Sequence, residues 1–240
     1  MLFTALTGIS RRWRAAAARV PSQCAVCHAW PSQRVCDACA ARFAQPAARC
    51  QRCALRVPAG VVVCGACLRD PPWFDACIAA VDYAYPWADA LARFKFQGDP
   101  GWAGALSMLM RSTPWVEPAL EAADRVLPVP LSTQRLRERG FNQSALLARH
   151  LAGAKADTGT LLRLHAGEAQ SSLLRAQRLR NLCQAFAVEP ARAAGLRGQH
   201  VVLIDDVMTT GATLNAATQA LREAGAGRVT ALVFARTEAT

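Results

Sequence analysis

Residues 201–213 read Val-Val-Leu-Ile-Asp-Asp-Val-Met-Thr-Thr-Gly-Ala-Thr, and this stretch decides the fold. Four apolar residues, Val201 to Ile204, suit a strand buried on both faces, as in a parallel sheet. The strand is expected to end at two adjacent carboxylates, Asp205 and Asp206. Hydroxyls and a glycine follow, then a helical stretch from Ala212 to Ala224, closed by Gly225. A strand, a small-residue loop and a helix N-terminus bring free N–H groups and the helix dipole to one place, which favours an anion. Thr209, Thr210, Gly211 and Thr213 are therefore expected to wrap a phosphate monoester. The two carboxylates suit either the vicinal hydroxyls of a ribose or a Mg²⁺ held near them. Phosphate, diol and metal together describe a phosphoribosyl group. A Walker A loop would need Gly-Lys-Ser/Thr, and a dinucleotide fingerprint would need spaced glycines before the helix; neither occurs here.

Working outward, the segments from Ala76 alternate between strand and helix patterns. Ala76–Tyr83, Arg125–Val129, Leu161–Leu164 and Arg228–Ala235 read as strands. Ala88–Phe96, Gly101–Met110, Asn142–Leu151 and Leu173–Asn181 read as helices. Such alternation predicts a mostly parallel sheet flanked by helices, with ligands beyond the carboxyl ends of the strands. Two other segments are expected at that end. In Leu127-Pro-Val-Pro-Leu131 the prolines force an abrupt loop after a strand, and Arg135, Arg137 and Arg139 supply guanidinium groups able to grip a diphosphate. The polar stretch from Gln170 through Arg178 and Asn181 to Phe186 suits a cover over the site.

Before the α/β pattern lies a cysteine module. Eight of the ten cysteines form CxxC pairs: Cys24/Cys27, Cys36/Cys39, Cys50/Cys53 and Cys64/Cys67. Two CxxC turns complete a tetrahedral Cys₄ site, so two structural zinc ions are expected, each with its coordination sphere filled. Sequential pairing (first with second, third with fourth) is preferred, with an interleaved arrangement as the alternative. His28 would be a redundant ligand, and Cys77 and Cys183 read as core residues. Pro71-Pro72 marks a boundary. The expected organisation is a tail or helix over residues 1–23, a double zinc ribbon over 24–70 and an α/β domain over 71–240.

Net charge is +11, which suggests a nucleic-acid partner. Eight thiolates on two zinc ions would reduce that to about +7. Lys95 and Lys155 are the only lysines among 28 basic residues, a bias that genome composition explains as readily as binding. No apolar run is long enough to span a bilayer. Arg11-Arg12 follows the first apolar residues rather than preceding them, an order that argues against a secretory signal and for the cytoplasm.

Residues 201–213 resemble the 5-phosphoribosyl 1-diphosphate (PRPP) signature of type I phosphoribosyltransferases. A narrower resemblance covers nearly the whole chain from Cys24 onward. Four CxxC pairs precede Phe94-Lys-Phe-Gln-Gly-Asp99 and Arg139-Gly-Phe-Asn-Gln143. Gln170, Arg178, Asn181 and Phe186 come next, and then the phosphoribosyl signature. This order is similar to the ComF/GntX family, a phosphoribosyltransferase-like group associated with competence for DNA uptake. The resemblance implies that Asp205 and Asp206 hold the ribose hydroxyls of PRPP. It implies that Thr209, Thr210, Gly211, Ala212 and Thr213 hold its 5′-phosphate. Pro130 and Leu131, with Arg135 and Arg139, would face the pyrophosphate, and Lys95 would reach the same region. Two departures stand out. Gly167 replaces a threonine common before the Gln170 motif, and Thr209 stands where purine-salvage relatives carry an aspartate base, which argues against purine salvage.

Two functions fit these residues. One is a Mg²⁺-dependent pentosyltransferase of unidentified acceptor, in which Asp205, Asp206, Arg135 and Arg139 stabilise charge as pyrophosphate departs. The other is a non-catalytic competence protein that handles single-stranded DNA, with Trp73, Phe94, Phe96 and Trp102 as candidate stacking aromatics and other competence proteins as partners.

Overall fold

The computed structural model describes residues 22–164 and 185–238. Contacts divide the chain into two compact units, Met1–Phe43 and Ala44–Thr240. The first, over its described residues, holds the Cys24–Cys27 turn, an isolated bridge between Ser22 and Ser32, and helix α1 (Asp37–Phe43). The division falls between the two cysteine groups rather than at Pro71-Pro72. The reason is packing: Cys50, Cys53, Ala54 and Cys67, with helix α2 (Gly65–Arg69), belong to the same core as the main sheet. Asp82 adds to this join by pairing with Arg49 (2.8 Å) and Arg56, and the two guanidinium groups outweigh its burial and lower its pKa.

Strands β1 (Ala76–Asp82), β2 (Arg125–Pro128), β5 (His200–Met208) and β6 (Arg228–Arg236) form a four-stranded sheet in the order β1-β6-β5-β2, every pair parallel. Alternation along a strand sends successive side chains to opposite faces. Val201, Leu203, Val229, Ala231 and Val233 therefore share one face with the second cysteine group and helix α9 (Ala212–Glu223). Val202, Ile204, Leu232 and Phe234 are equally buried on the other face. There lie α3 (Trp87–Phe96), α4 (Trp102–Arg111) and α7 (Gln143–Ala152), with Trp87 set edge-on to Phe234 at 5.8 Å. Burial on both faces explains why these strands read as continuous apolar runs.

The structure departs from the sequence reading in three places. β5 does not stop at Ile204 but continues to Met208, because its ladder with β6 runs as far as Met208 opposite Arg236. β3 (Leu161–Arg163) does not join the main sheet; it pairs antiparallel with β4 (Phe186–Val188) as a separate ribbon. Helix α5 (Val116–Ala122) was not expected as an element and buries only Val116 and Leu120; the segment with Arg135, Arg137 and Arg139 forms helix α6 (Thr133–Arg139), which buries nothing. Short α8 (Pro190–Ala193) precedes β5. The expected helix Leu173–Asn181, Gly167, Gln170 and Cys183 lie outside the described residues. No helix among the described residues is long and apolar enough to cross a membrane.

Candidate functional site

All four parallel strands deliver their carboxyl ends to one edge, the place where open α/β sheets bind ligands. Asp205 and Asp206 occupy that end of β5, still inside the strand. Asp205 Oδ1 accepts hydrogen bonds from Ser144 Oγ of α7 and from the Asp206 N–H, both at 2.9 Å. The Asp206 carboxylate is buried and pairs with Lys95 Nζ of α3 at 3.0 Å. Burial, then the neighbouring Asp206 charge, pushes Asp205 up to about 7 against the opposing pull of the Asp206 N–H, Ser144 and Lys95. Near neutrality Asp205 is therefore partly protonated, unlike an ordinary surface aspartate.

Beyond Met208 the chain turns through Thr209, Thr210 and Gly211 into α9, a 12-residue helix. Gly211 has φ +83°, a left-handed conformation that favours glycine, and a Cβ there would displace only the mobile Met208 methyl. Thr209, Thr210, Ala212 and Thr213 are exposed, and the Ala212 N–H reaches Thr210 Oγ1 at 3.3 Å. Behind the turn, the buried Arg236 donates to the carbonyls of Met208 (3.1 Å), Thr209 and Thr237 (2.8 Å). Arg236 was not singled out in the sequence; it reads there as an ordinary strand terminus.

After β2, Pro130 and Leu131 form the expected abrupt loop, half-buried. Ser132 then caps α6, its side chain accepting from the Arg135 N–H at 3.3 Å. Arg135 is exposed. Arg139 donates to Gln143 Oε1 at 3.1 Å and lies over the Phe96 ring at 5.2 Å. Arg163 of β3 is a further cation at this edge. Burial and then the Arg135 charge lower its pKa, while Asp205 acts in the opposite sense, so the field joins all three side chains. Within Leu161-Leu-Arg163 nothing marks that arginine; only the ribbon's register brings it here. Lys95 of α3 reaches this end of the sheet through its ion pair with Asp206.

The eight cysteines gather as Cys24, Cys27, Cys36, Cys39 and as Cys50, Cys53, Cys64, Cys67, each with its sulfurs within 4.8 Å of one another. This is the sequential pairing. The Cys27–Cys36 and Cys53–Cys64 sulfur separations are both 3.6 Å, close to the roughly 3.8 Å between ligands of a tetrahedral zinc with Zn–S bonds of about 2.3 Å. The Cys36 N–H points at Cys24 Sγ (3.4 Å) and the Cys64 N–H at Cys50 Sγ (3.3 Å). Burial raises both thiols, and these backbone donors outweigh it, leaving Cys24 at about 6 and Cys50 at about 7. Thiolates stabilised in this way fit structural zinc. Cys77 lies in the core as expected.

Of the four aromatics considered for base stacking, Phe94 and Trp102 are core residues, while Phe96 is 73% and Trp73 59% exposed. A cavity of about 630 Å³, lined in part by Ile78, Trp115, His200 and Arg228, lies where β5 and β6 begin, at the opposite end of the sheet from the acid pair.

Residues 144–240 match the phosphoribosyl transferase domain family model. The chain is 34% identical over 232 residues to the DNA utilization protein YhgH of Salmonella typhimurium, covering 91% of this chain and 98% of that protein. It is 31% identical over 202 residues to the competence protein ComFC of Bacillus subtilis, covering 81% and 80%. It is 30% identical over 180 residues to competence protein F of Haemophilus influenzae, covering 72% and 78%. With a parallel sheet of phosphoribosyltransferase type, two Cys₄ groups and relatives of this likeness over most of their length, the chain belongs to the ComF family.

Proposed function

We propose that the carboxyl end of β5 binds PRPP, or a related ribose phosphate, in a protein that supports DNA uptake or DNA utilisation. One observation carries the reading. An acid pair and an exposed hydroxyl-rich turn opening a helix follow one another at one sheet edge, with Arg163 within the electrostatic reach of Asp205 and Arg135. The N–H groups and exposed hydroxyls of Thr209 to Thr213 suit a 5′-phosphate, the carboxylates suit a diol, and the arginines suit a diphosphate. Mg²⁺, when bound with the ligand, supplies positive charge on the diphosphate and would be held beside Asp205 and Asp206. In a transfer reaction the bond from C1 to the diphosphate oxygen breaks, the electron pair leaves with pyrophosphate, and a nucleophile closes on C1. This chain's part is to hold the ribose, neutralise the departing diphosphate with Arg135 and Arg139, and place carboxylates near the developing positive charge.

Isothermal titration of PRPP with Mg²⁺ tests the site. Replacing both Asp205 and Asp206 by Asn should weaken binding by about two orders of magnitude, a loss of roughly 2.7 kcal/mol. Wild-type affinity in that variant ends the assignment. A screen of nucleobases and amines for pyrophosphate release then tests turnover.

The second reading, single-strand handling, is favoured by exposed Phe96 beneath Arg139, an aromatic–guanidinium surface of the kind that stacks bases. It predicts single-strand affinity that falls steeply with salt and weakens in Phe96→Ala.

A further inference from the structure

We infer that Arg236 is a positioning residue through which the second cysteine group sets the geometry of the Thr209–Thr213 turn. The inference deepens the proposed function by assigning a structural control to the same site. Its ligand consequence rests on that reading; its conformational core does not.

Arg236 ends β6 and is only 5% exposed, yet among the described residues it forms no ion pair with a carboxylate. Its guanidinium is held by carbonyls. Nε donates to Cys53 O at 2.9 Å, and a terminal nitrogen donates to Met208 O, Thr209 O and Thr237 O. A buried cation without a counter-charge is costly, so each carbonyl matters to keeping it in place. One of those carbonyls belongs to a cysteine of the Cys50/Cys53/Cys64/Cys67 group, and another to the first residue of the turn. The same side chain therefore touches a metal-binding loop and the start of the anion turn.

Charge reinforces the link. Four thiolates on one Zn²⁺ would carry a net charge of about −2, a negative field close to a guanidinium that pairs with no carboxylate among the described residues. Without a metal the sulfurs would no longer be tied to one centre, and the Cys53 backbone would be free to shift. A second route runs in parallel. The Cys77 N–H donates to Gln51 O at 3.0 Å, between Cys50 and Cys53, and Cys77 Sγ lies 3.6 Å from Met208 Sδ. The Met208 methyl in turn packs against Gly211. The Cys24/Cys27/Cys36/Cys39 group belongs to the other compact unit and serves as the internal control.

The experiment compares Arg236→Lys, Cys64→Ser and Cys27→Ser in the full chain, with zinc content measured for each. Lysine keeps the charge but has one nitrogen and cannot span Cys53 O and Thr209 O together. Hydrogen exchange of the amides at 207–213, measured without ligand, is expected to accelerate on the order of tenfold in Arg236→Lys and in Cys64→Ser, and not in Cys27→Ser. Combining the first two should add little beyond either alone, because both cut one path. Affinity for ribose 5-phosphate should fall about tenfold in the same two variants, while affinity for inorganic pyrophosphate stays within about twofold. Unchanged exchange in zinc-loaded Arg236→Lys, or equal loosening by Cys27→Ser and Cys64→Ser, overturns the inference. If Cys64→Ser does not fold, Arg236→Lys alone decides it. If ribose 5-phosphate fails to bind even the wild type, the proposed function falls and the exchange result still judges the coupling.

Discussion

Asp205 keeps a proton that an ordinary aspartate would have lost. Its native pKa of about 7 stands above the usual carboxylate value of about 3.9, with burial as the first cause and Asp206 the second. Below the unfolded value both states are protonated and the group contributes no pH dependence. Between the two values the unfolded chain releases the proton and the native chain does not, so stability falls as pH rises until the native group also ionises. The thermal midpoint of Asp205→Asn relative to wild type should therefore increase from pH 5 to pH 8; a constant difference would refute the raised pKa. Lys95 is the companion case. Lys95→Met leaves the buried Asp206 carboxylate without its 3.0 Å partner and should cost about 3 kcal/mol near pH 8, measured by denaturant titration. The loss should be smaller at pH 5, where Asp205 is protonated and no longer repels Asp206.

At the scale of elements, α6 shows how little holds a functional segment in place. It buries no side chain, starts at the Ser132 cap and stops at Gly140, whose φ of +76° suits a helix C-terminus. Ser132→Ala should destabilise that helix by about 1 kcal/mol and weaken pyrophosphate binding, while the global thermal midpoint hardly moves. A large fall in midpoint would mean that α6 is part of the core after all. The turn before α9 behaves oppositely. Gly211→Ala forces a left-handed backbone on an alanine, so it should lower stability by about 1 kcal/mol and weaken ribose 5-phosphate binding. Retained binding would show that the turn can adjust.

Over the whole molecule, the two cysteine groups belong to different compact units although they look alike in sequence. Metal analysis should find two zinc ions per chain. Removing the metal of the Cys50/Cys53/Cys64/Cys67 group should lower the main calorimetric transition, because Cys50, Cys53 and Cys67 pack in the same core as Val201 and Ala231. Cys27→Ser in the other group should leave that transition in place. Identical shifts from the two variants would show that the units unfold as one.

Sequence alone determined much of this protein. Continuous apolar runs such as Val201–Ile204 and Ala231–Ala235 can be satisfied only by burial on both faces, so the parallel sheet was legible. CxxC spacing is local geometry, so the cysteine sites were legible as well. The acid pair and the threonine turn were legible because they are contiguous. Tertiary structure decided what contiguity cannot: the extension of β5 to Met208 along β6, the partnership of Lys95 with Asp206, and the arrival of Arg163, Ser144 and Arg236 at one edge. Those residues come from separate elements, and isolated hydroxyls or arginines carry no periodic signal. Their roles exist only once sheet order and helix packing bring them within hydrogen-bonding or Coulombic reach.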